Sequence, residues 1–380
     1  MDLKIDNNIS DIIEKLNNDY QIIKKNMYWN YDKKYYINGL VVDENDMLME
    51  LSKKIINGID RTKLDLRLNS AVSYEIPNID YDKMKNIVLS FFLTIDPNYS
   101  DKLAYIFSNV HVIDGKGRSY ASIEGINFYN NNDLASLITL THEVSHCLAN
   151  LDENNIVNDK NKVTAFAEIE SELTEEIFIK SLLESNFLVV DKNSDDLKPR
   201  PLNQNDINCI KYNKYKGSVF EKSYRAIEEL NFKRIINQTN IDENLIQKIC
   251  TMYNVPLNDE NEKYICKRIE KFLKPYNPTQ NQKYDENGYY DPKNGEHLSN
   301  ESRFIYAYCF VEKFNNSNLN EEEKINFYRS YINDVKNMSF EDVLTKFNVD
   351  LSNPLSITDD FIKEFNNIVN NNEDAKKLWL

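Results

Sequence analysis

Scarcity of chain-breaking residues constrains this chain more than any other feature. Eight glycines and nine prolines are spread over 380 residues, and these are the residues on which sharp turns and hairpins depend. Sandwiches and barrels need turn signals roughly every 8–12 residues. Long segments of Leu, Ile, Lys, Glu and Asn run here instead, so the sequence predicts a mainly α-helical protein with little strand. A hydrophobic fraction of 41% is enough for a sizeable core.

Charge and cysteine usage narrow the partners. The net charge of −15 is distributed without a basic cluster, which argues against a nucleic-acid or anionic membrane surface as the main partner. Residues 1–10 lack a basic stretch followed by an apolar one, and no apolar run approaches membrane-spanning length. A soluble, cytoplasmic protein is expected. Cys147, Cys209, Cys250, Cys266 and Cys309 are odd in number and form no Cys-x-x-Cys pair, so they are read as reduced core thiols.

One segment carries residue types and spacing that belong together chemically. His142, Glu143 and His146 spell His-Glu-x-x-His inside the run from Leu134 to Leu151. Leu137, Leu140, Val144, Leu148 and Leu151 recur at helical spacing, and both histidines fall opposite that stripe. Asp133 is the candidate N-cap, and the run contains neither Gly nor Pro. Imidazoles four apart lie on one helix face and can grip one tetrahedral zinc, while Glu143 faces the open coordination position as a general base. The pattern implies metal-assisted hydrolysis of a peptide. The pentapeptide is short enough to arise by chance in an amphipathic core helix, so its surroundings must decide.

Other elements are placed around this helix. Residues 8–60 alternate in helical fashion with a turn near Tyr31 to Gly39, and further helices are expected over Asp80–Leu93 and Tyr99–Phe107. Two short strands are predicted around Gly115 and Gly117. His111 falls in a predicted strand and is read as structural. Gly115-Lys-Gly117 lacks the other parts of a phosphate loop, so it is a turn. A glutamate-rich helix is expected over Thr164–Glu184, then a surface connection over Asp191–Asn205 and helical sequence to about Phe272. Lys274 to Asn300 gathers three prolines and two glycines and reads as a long loop. The domain expectation is an N-terminal helical segment over 1–64 and a catalytic domain over 65–380, or one continuous domain over 1–380.

A catalytic zinc site needs a third protein ligand from a separate segment. Glu168, Glu170, Glu172, Glu175 and Glu176 are the candidates, and helical spacing puts Glu168, Glu172 and Glu175 on one face. Spacing alone does not rank these three, and a solvated acidic face would look the same.

Phe166-Ala-Glu-Ile-Glu-Ser-Glu172 resembles the Phe-x-Glu-x-Pro-Ser segment that follows the zinc helix in thimet oligopeptidase and oligoendopeptidase F. Asp114-Gly-Lys-Gly-Arg-Ser-Tyr-Ala121 and the approach from Asp133 to Leu140 are similar to that family's Gly/Lys/Arg-rich hairpin and to the run into its zinc helix. The resemblance covers about residues 65 to 320. It implies a helical zincin-like domain with a small hairpin or sheet ahead of the zinc helix, one zinc held by His142, His146 and Glu168, and Glu143 as general base. It further implies that His297, Tyr306 and Tyr308 supply hydrogen bonds to the substrate and its developing oxyanion. Glu172, four residues past Glu168, is expected to orient a ligand histidine.

The departures from the family pattern are specific. Ser145 stands where the family has Gly, and Glu170 where it usually has Pro. Only 141 residues precede His142, which predicts a shortened N-terminal lobe. A peptide is the expected partner, with neither nucleic acid nor membrane. The expected activity is a zinc-dependent endopeptidase. A shortened lobe would equally suit a processing peptidase dedicated to one peptide or protein. The reading outside enzymes is a peptide-binding protein that kept this fold, against which the intact His142, Glu143, His146 and Glu168 argue.

Overall fold

The structure is a computed structural model, and it describes residues 9–25, 34–60, 64, 74–114, 117–122, 125–151, 166, 168–192, 197–238, 240–252, 256–273 and 297–371. These are mainly helical with small sheets, as the glycine and proline content predicts. No helix among them is long and apolar enough to cross a membrane. The loop expected over Lys274–Asn300 lies outside the described residues as far as residue 296, as do Thr164 and the Gly115-Lys116 pair.

The contacts divide the chain into two compact units. One comprises Met1–Tyr35, Val41–Lys53 and Ser223–Glu301; the other comprises Tyr36–Leu40, Lys54–Lys222 and Ser302–Leu380. The physical reason lies in the first unit's core. Ile13, Leu16 and Tyr20 of the helix Ile9–Lys25 are buried together with Ile241, Leu245 and Ile249, and with Ile265, Ile269 and Leu273. Sequence distance hid this pairing of an N-terminal helix with a segment more than two hundred residues later. The turn expected near Tyr31 to Gly39 is a hairpin of Lys34–Ile37 and Leu40–Asp43. Asn38 and Gly39 both have positive φ, 50° and 74°, as a two-residue hairpin loop demands.

The second unit is organised around the helix Leu134–Asn150 that carries the His-Glu-x-x-His pattern. Asp133 caps it, adopting extended backbone and accepting from the Ser136 amide at 2.8 Å. Leu137, Leu140, Val144 and Leu148 are buried as the periodicity requires. This helix packs against the glutamate helix Ile169–Glu184, the helices Tyr81–Ile95 and Ser100–Ser108, and a three-stranded sheet. Phe92, Phe128 and Leu173 are fully buried in this unit.

The sheet differs from the two strands expected around Gly115 and Gly117. Val110–Asp114 runs parallel to Gly125–Asn130, and Tyr120–Ser122 pairs antiparallel on the other side of that central strand. The two predicted strands therefore flank a third and do not pair with each other. Gly125 makes the close approach possible: its φ is +128°, and a Cβ there would lie 2.0 Å from the Asn109 carbonyl oxygen. That same carbonyl accepts from the Ile126 amide at 3.0 Å. Tyr120–Ser122 is left as an edge strand.

Candidate metal centre

One helical turn separates His142 from His146, so their rings meet edge to face with centroids 4.7 Å apart. Their Nε2 atoms lie 3.1 Å from each other. Glu168 Oε2 lies 3.2 Å from each of these nitrogens. A tetrahedral zinc with bonds of roughly 2.0–2.1 Å has ligand atoms about 3.3 Å apart. The three donor atoms therefore fit the face of such a site, in residue type and in spacing.

The opposite edge of each ring is held by a carboxylate. His142 Nδ1 lies 2.7 Å from Glu175 Oε1, and His146 Nδ1 lies 3.2 Å from Glu170 Oε1. A carboxylate accepts from a ring N–H, so Glu175 and Glu170 would keep the proton on Nδ1 when a cation takes the Nε2 side, and without one Nε2–H can donate to Glu168. Glu168 stands at the N-cap of the glutamate helix, where its side chain makes no capping bond. Its other oxygen, Oε1, lies 3.1 Å from Arg303 Nε as an ion pair not aligned as a hydrogen bond.

Electrostatics make this a place for positive charge. Burial opposes charging His142, but its hydrogen bonds to Glu168 and Glu175 outweigh it and hold the imidazole well above its ordinary pKa. Burial also opposes charge on His146, and the Glu168 carboxylate again outweighs it. Burial would raise Glu168, yet the His146 and His142 contacts hold it well below the usual carboxylate range. Protons, or a cation in their place, are what such a cluster retains.

A cavity of about 690 Å³ opens onto the three donor atoms. Glu143, 7% exposed, lines it beside both histidines. Arg118 to Ala121, which includes part of the edge strand, forms another wall, and Lys214, Ser218, Arg303, Phe304 and Tyr308 complete it. The Tyr308 hydroxyl donates to Glu172; burial and the nearby carboxylates push its pKa well above the ordinary value, so the phenol keeps its proton.

Several expected residues come together and others do not. His142, Glu143, His146, Glu168 and Tyr308 all line the cavity. Tyr306 does not line it; its ring packs in the core against Phe166 and Phe340, with centroids 5.6 and 6.0 Å away. His297 begins the helix His297–Asn315, but its side chain lies outside the described residues. The histidine-orienting carboxylates are Glu175 and Glu170, not Glu172, which instead meets Lys214 Nζ at 3.4 Å and Tyr308. Glu170 is fully buried. Lys214 and Arg303 carried no sequence signal, since their separation from the motif is closed only by folding. All five cysteines are buried and none forms a disulfide, as expected.

No family model matches this sequence, and no curated protein does. Among solved structures the chain is similar to a protein provisionally named oligoendopeptidase F, at 13% identity and a TM-score of 0.45. The similarity covers 98% of this chain and 60% of that one, so the chain spans less than two thirds of that protein's length.

Proposed function

We propose that this protein is a zinc-dependent endopeptidase. The observation that carries the reading is the triangle of His142 Nε2, His146 Nε2 and Glu168 Oε2 with edges of 3.1–3.2 Å, opening on the cavity that Glu143 also lines. Zinc, when bound, supplies Lewis-acid polarisation of a carbonyl and of water. Glu143 accepts the proton of the attacking water and returns it to the leaving amine. Tyr308 lines the cavity with its phenol neutral, and by exchanging its hydrogen bond to Glu172 for one to substrate it would steady the oxygen that gains charge in the transition state. The edge strand Tyr120–Ser122, whose Tyr120 and Ala121 line the cavity, would offer main-chain groups to an extended peptide, giving affinity with little side-chain selectivity.

Metal content of the purified protein, paired with cleavage of a quenched fluorescent peptide library, tests this. One zinc per chain with cleavage by the wild type is expected, and Glu143→Gln should retain the zinc while turnover falls roughly 100- to 10,000-fold. Zinc binding without cleavage of any library member favours a dedicated substrate. Absence of zinc after metal-replete purification overturns the reading.

A further inference from the structure

We propose that Lys214 is a positioning residue of the metal centre, acting through Glu175 on His142 and through Glu172 on Tyr308. The proposal rests on the metallopeptidase reading and names a device within it that the sequence motif does not contain.

The glutamate helix and its N-cap carry four carboxylates along one short stretch, Glu168, Glu170, Glu172 and Glu175, none more than 5% exposed. Buried carboxylates need cationic or hydrogen-bonding partners, because desolvation of an unpaired charge costs several kcal/mol. Glu168 has both histidines and Arg303, and Glu170 has His146. Glu172 and Glu175 converge with His142 into a second acidic cluster whose ligand atoms lie within 4.8 Å of one another. The Lys214 ammonium reaches this cluster directly: it pairs closely with Glu175 Oε2 and lies 3.4 Å from Glu172 Oε2. The other oxygen of Glu175 is the one that holds His142 Nδ1 at 2.7 Å. A continuous chain of contacts therefore runs from Lys214 through Glu175 and His142 to the donor triangle, and a branch runs through Glu172 to Tyr308.

Backbone geometry supports the assignment independently. Lys214 ends the helix Gln204–Lys214, which is fixed at its start by a capping box between Asn203 and Asp206. Arg200 grips the same Asp206 in bidentate fashion at 2.6 and 2.7 Å. Immediately after Lys214 the chain turns into a π-helix, Tyr215–Phe220, a rare conformation that recurs at functional sites. Its Ser218 lines the cavity together with Lys214.

Lys211, one turn earlier, supplies an internal control. It pairs with Glu176 at 2.8 Å and Glu312 at 3.2 Å, and none of these three residues lines the cavity. Two lysines of one helix thus pair with the same glutamate helix, and only Lys214 connects to a candidate ligand. Without the ammonium, Glu172 and Glu175 repel each other, and Glu175 no longer holds the His142 ring in its metal-binding tautomer.

The test is Zn²⁺ affinity of the full chain, measured by chelator competition for the wild type, Lys214→Met, Lys211→Met and the double variant Lys214→Met/Glu172→Gln. Lys214→Met should weaken zinc binding roughly 10- to 100-fold, while Lys211→Met stays within about twofold of wild type. The double variant, which removes the repulsion along with the lysine, should recover at least about tenfold of the loss. Wild-type affinity in Lys214→Met, or equal losses in the two lysine variants, overturns the proposal while leaving the metallopeptidase reading standing. If the wild type itself binds no zinc, that reading falls and takes the proposal with it. Should Lys214→Met fail to fold, the double variant decides: zinc binding restored supports the proposal, and a folded protein that binds none overturns it.

Discussion

An imidazole binds a metal only through a ring nitrogen that carries no proton, and here carboxylates decide which one that is. Glu175 and Glu170 accept from the Nδ1 sides of His142 and His146, and both Nε2 atoms turn toward Glu168. Glu175→Gln keeps the volume but can turn its amide NH₂ toward the ring, so zinc affinity should fall roughly 10- to 100-fold, read by chelator competition. The raised imidazoles also give the metal-free protein a pH signature. Their stabilising contribution is complete below pH 6.5 and is lost as pH rises through their elevated values. The Glu168 contribution is present above pH 4.5 and is lost as pH falls through its depressed value. These groups together stabilise the metal-free fold most between those limits. Calorimetry in the presence of a chelator should show Tm falling from pH 6.5 upward, and saturating Zn²⁺ should restore it most on the alkaline side.

At the level of elements, the site is made by one helix held at its start and packed along its length. Asp133 closes the first turn with a 2.8 Å bond to the Ser136 amide, so Asp133→Ala should destabilise this unit by about 1 kcal/mol, seen as a lower urea midpoint. The apolar stripe of this helix and its cap were legible because both depend on spacing within one segment. Strand pairing was not legible in the same way. The parallel alignment of Val110–Asp114 with Gly125–Asn130 joins residues that a hairpin pattern separates. It requires the positive φ of Gly125 against the Asn109 carbonyl, a packing fact and not a periodicity. Two tyrosines on one helix illustrate the same limit: positions two apart point about 200° from each other, so Tyr306 and Tyr308 cannot both face the cavity. Packing selected Tyr308 for the cavity and placed Tyr306 among Phe166 and Phe340.

Over the whole molecule, the candidate ligands and the residues that orient them belong to the unit containing Lys54–Lys222 and Ser302–Leu380. The core built from Ile13, Leu16, Ile249 and Ile269 belongs to the other. Ile269→Ala should therefore cost about 2–5 kcal/mol of stability by chemical denaturation while zinc affinity under native conditions stays unchanged. Legible in the sequence were the helical character of the chain, the apolar stripe of Leu134–Asn150 and the shared face of His142 and His146. Each of these follows from residue type and a 3.6-residue period. Glu168 was singled out by the resemblance, whereas packing settled that Glu175 and Glu170 orient the histidines and that Lys214 and Arg303 stand behind the carboxylates. Periodicity fixes the direction in which a side chain leaves its own helix, whereas distances between side chains from different segments are set by how those segments pack.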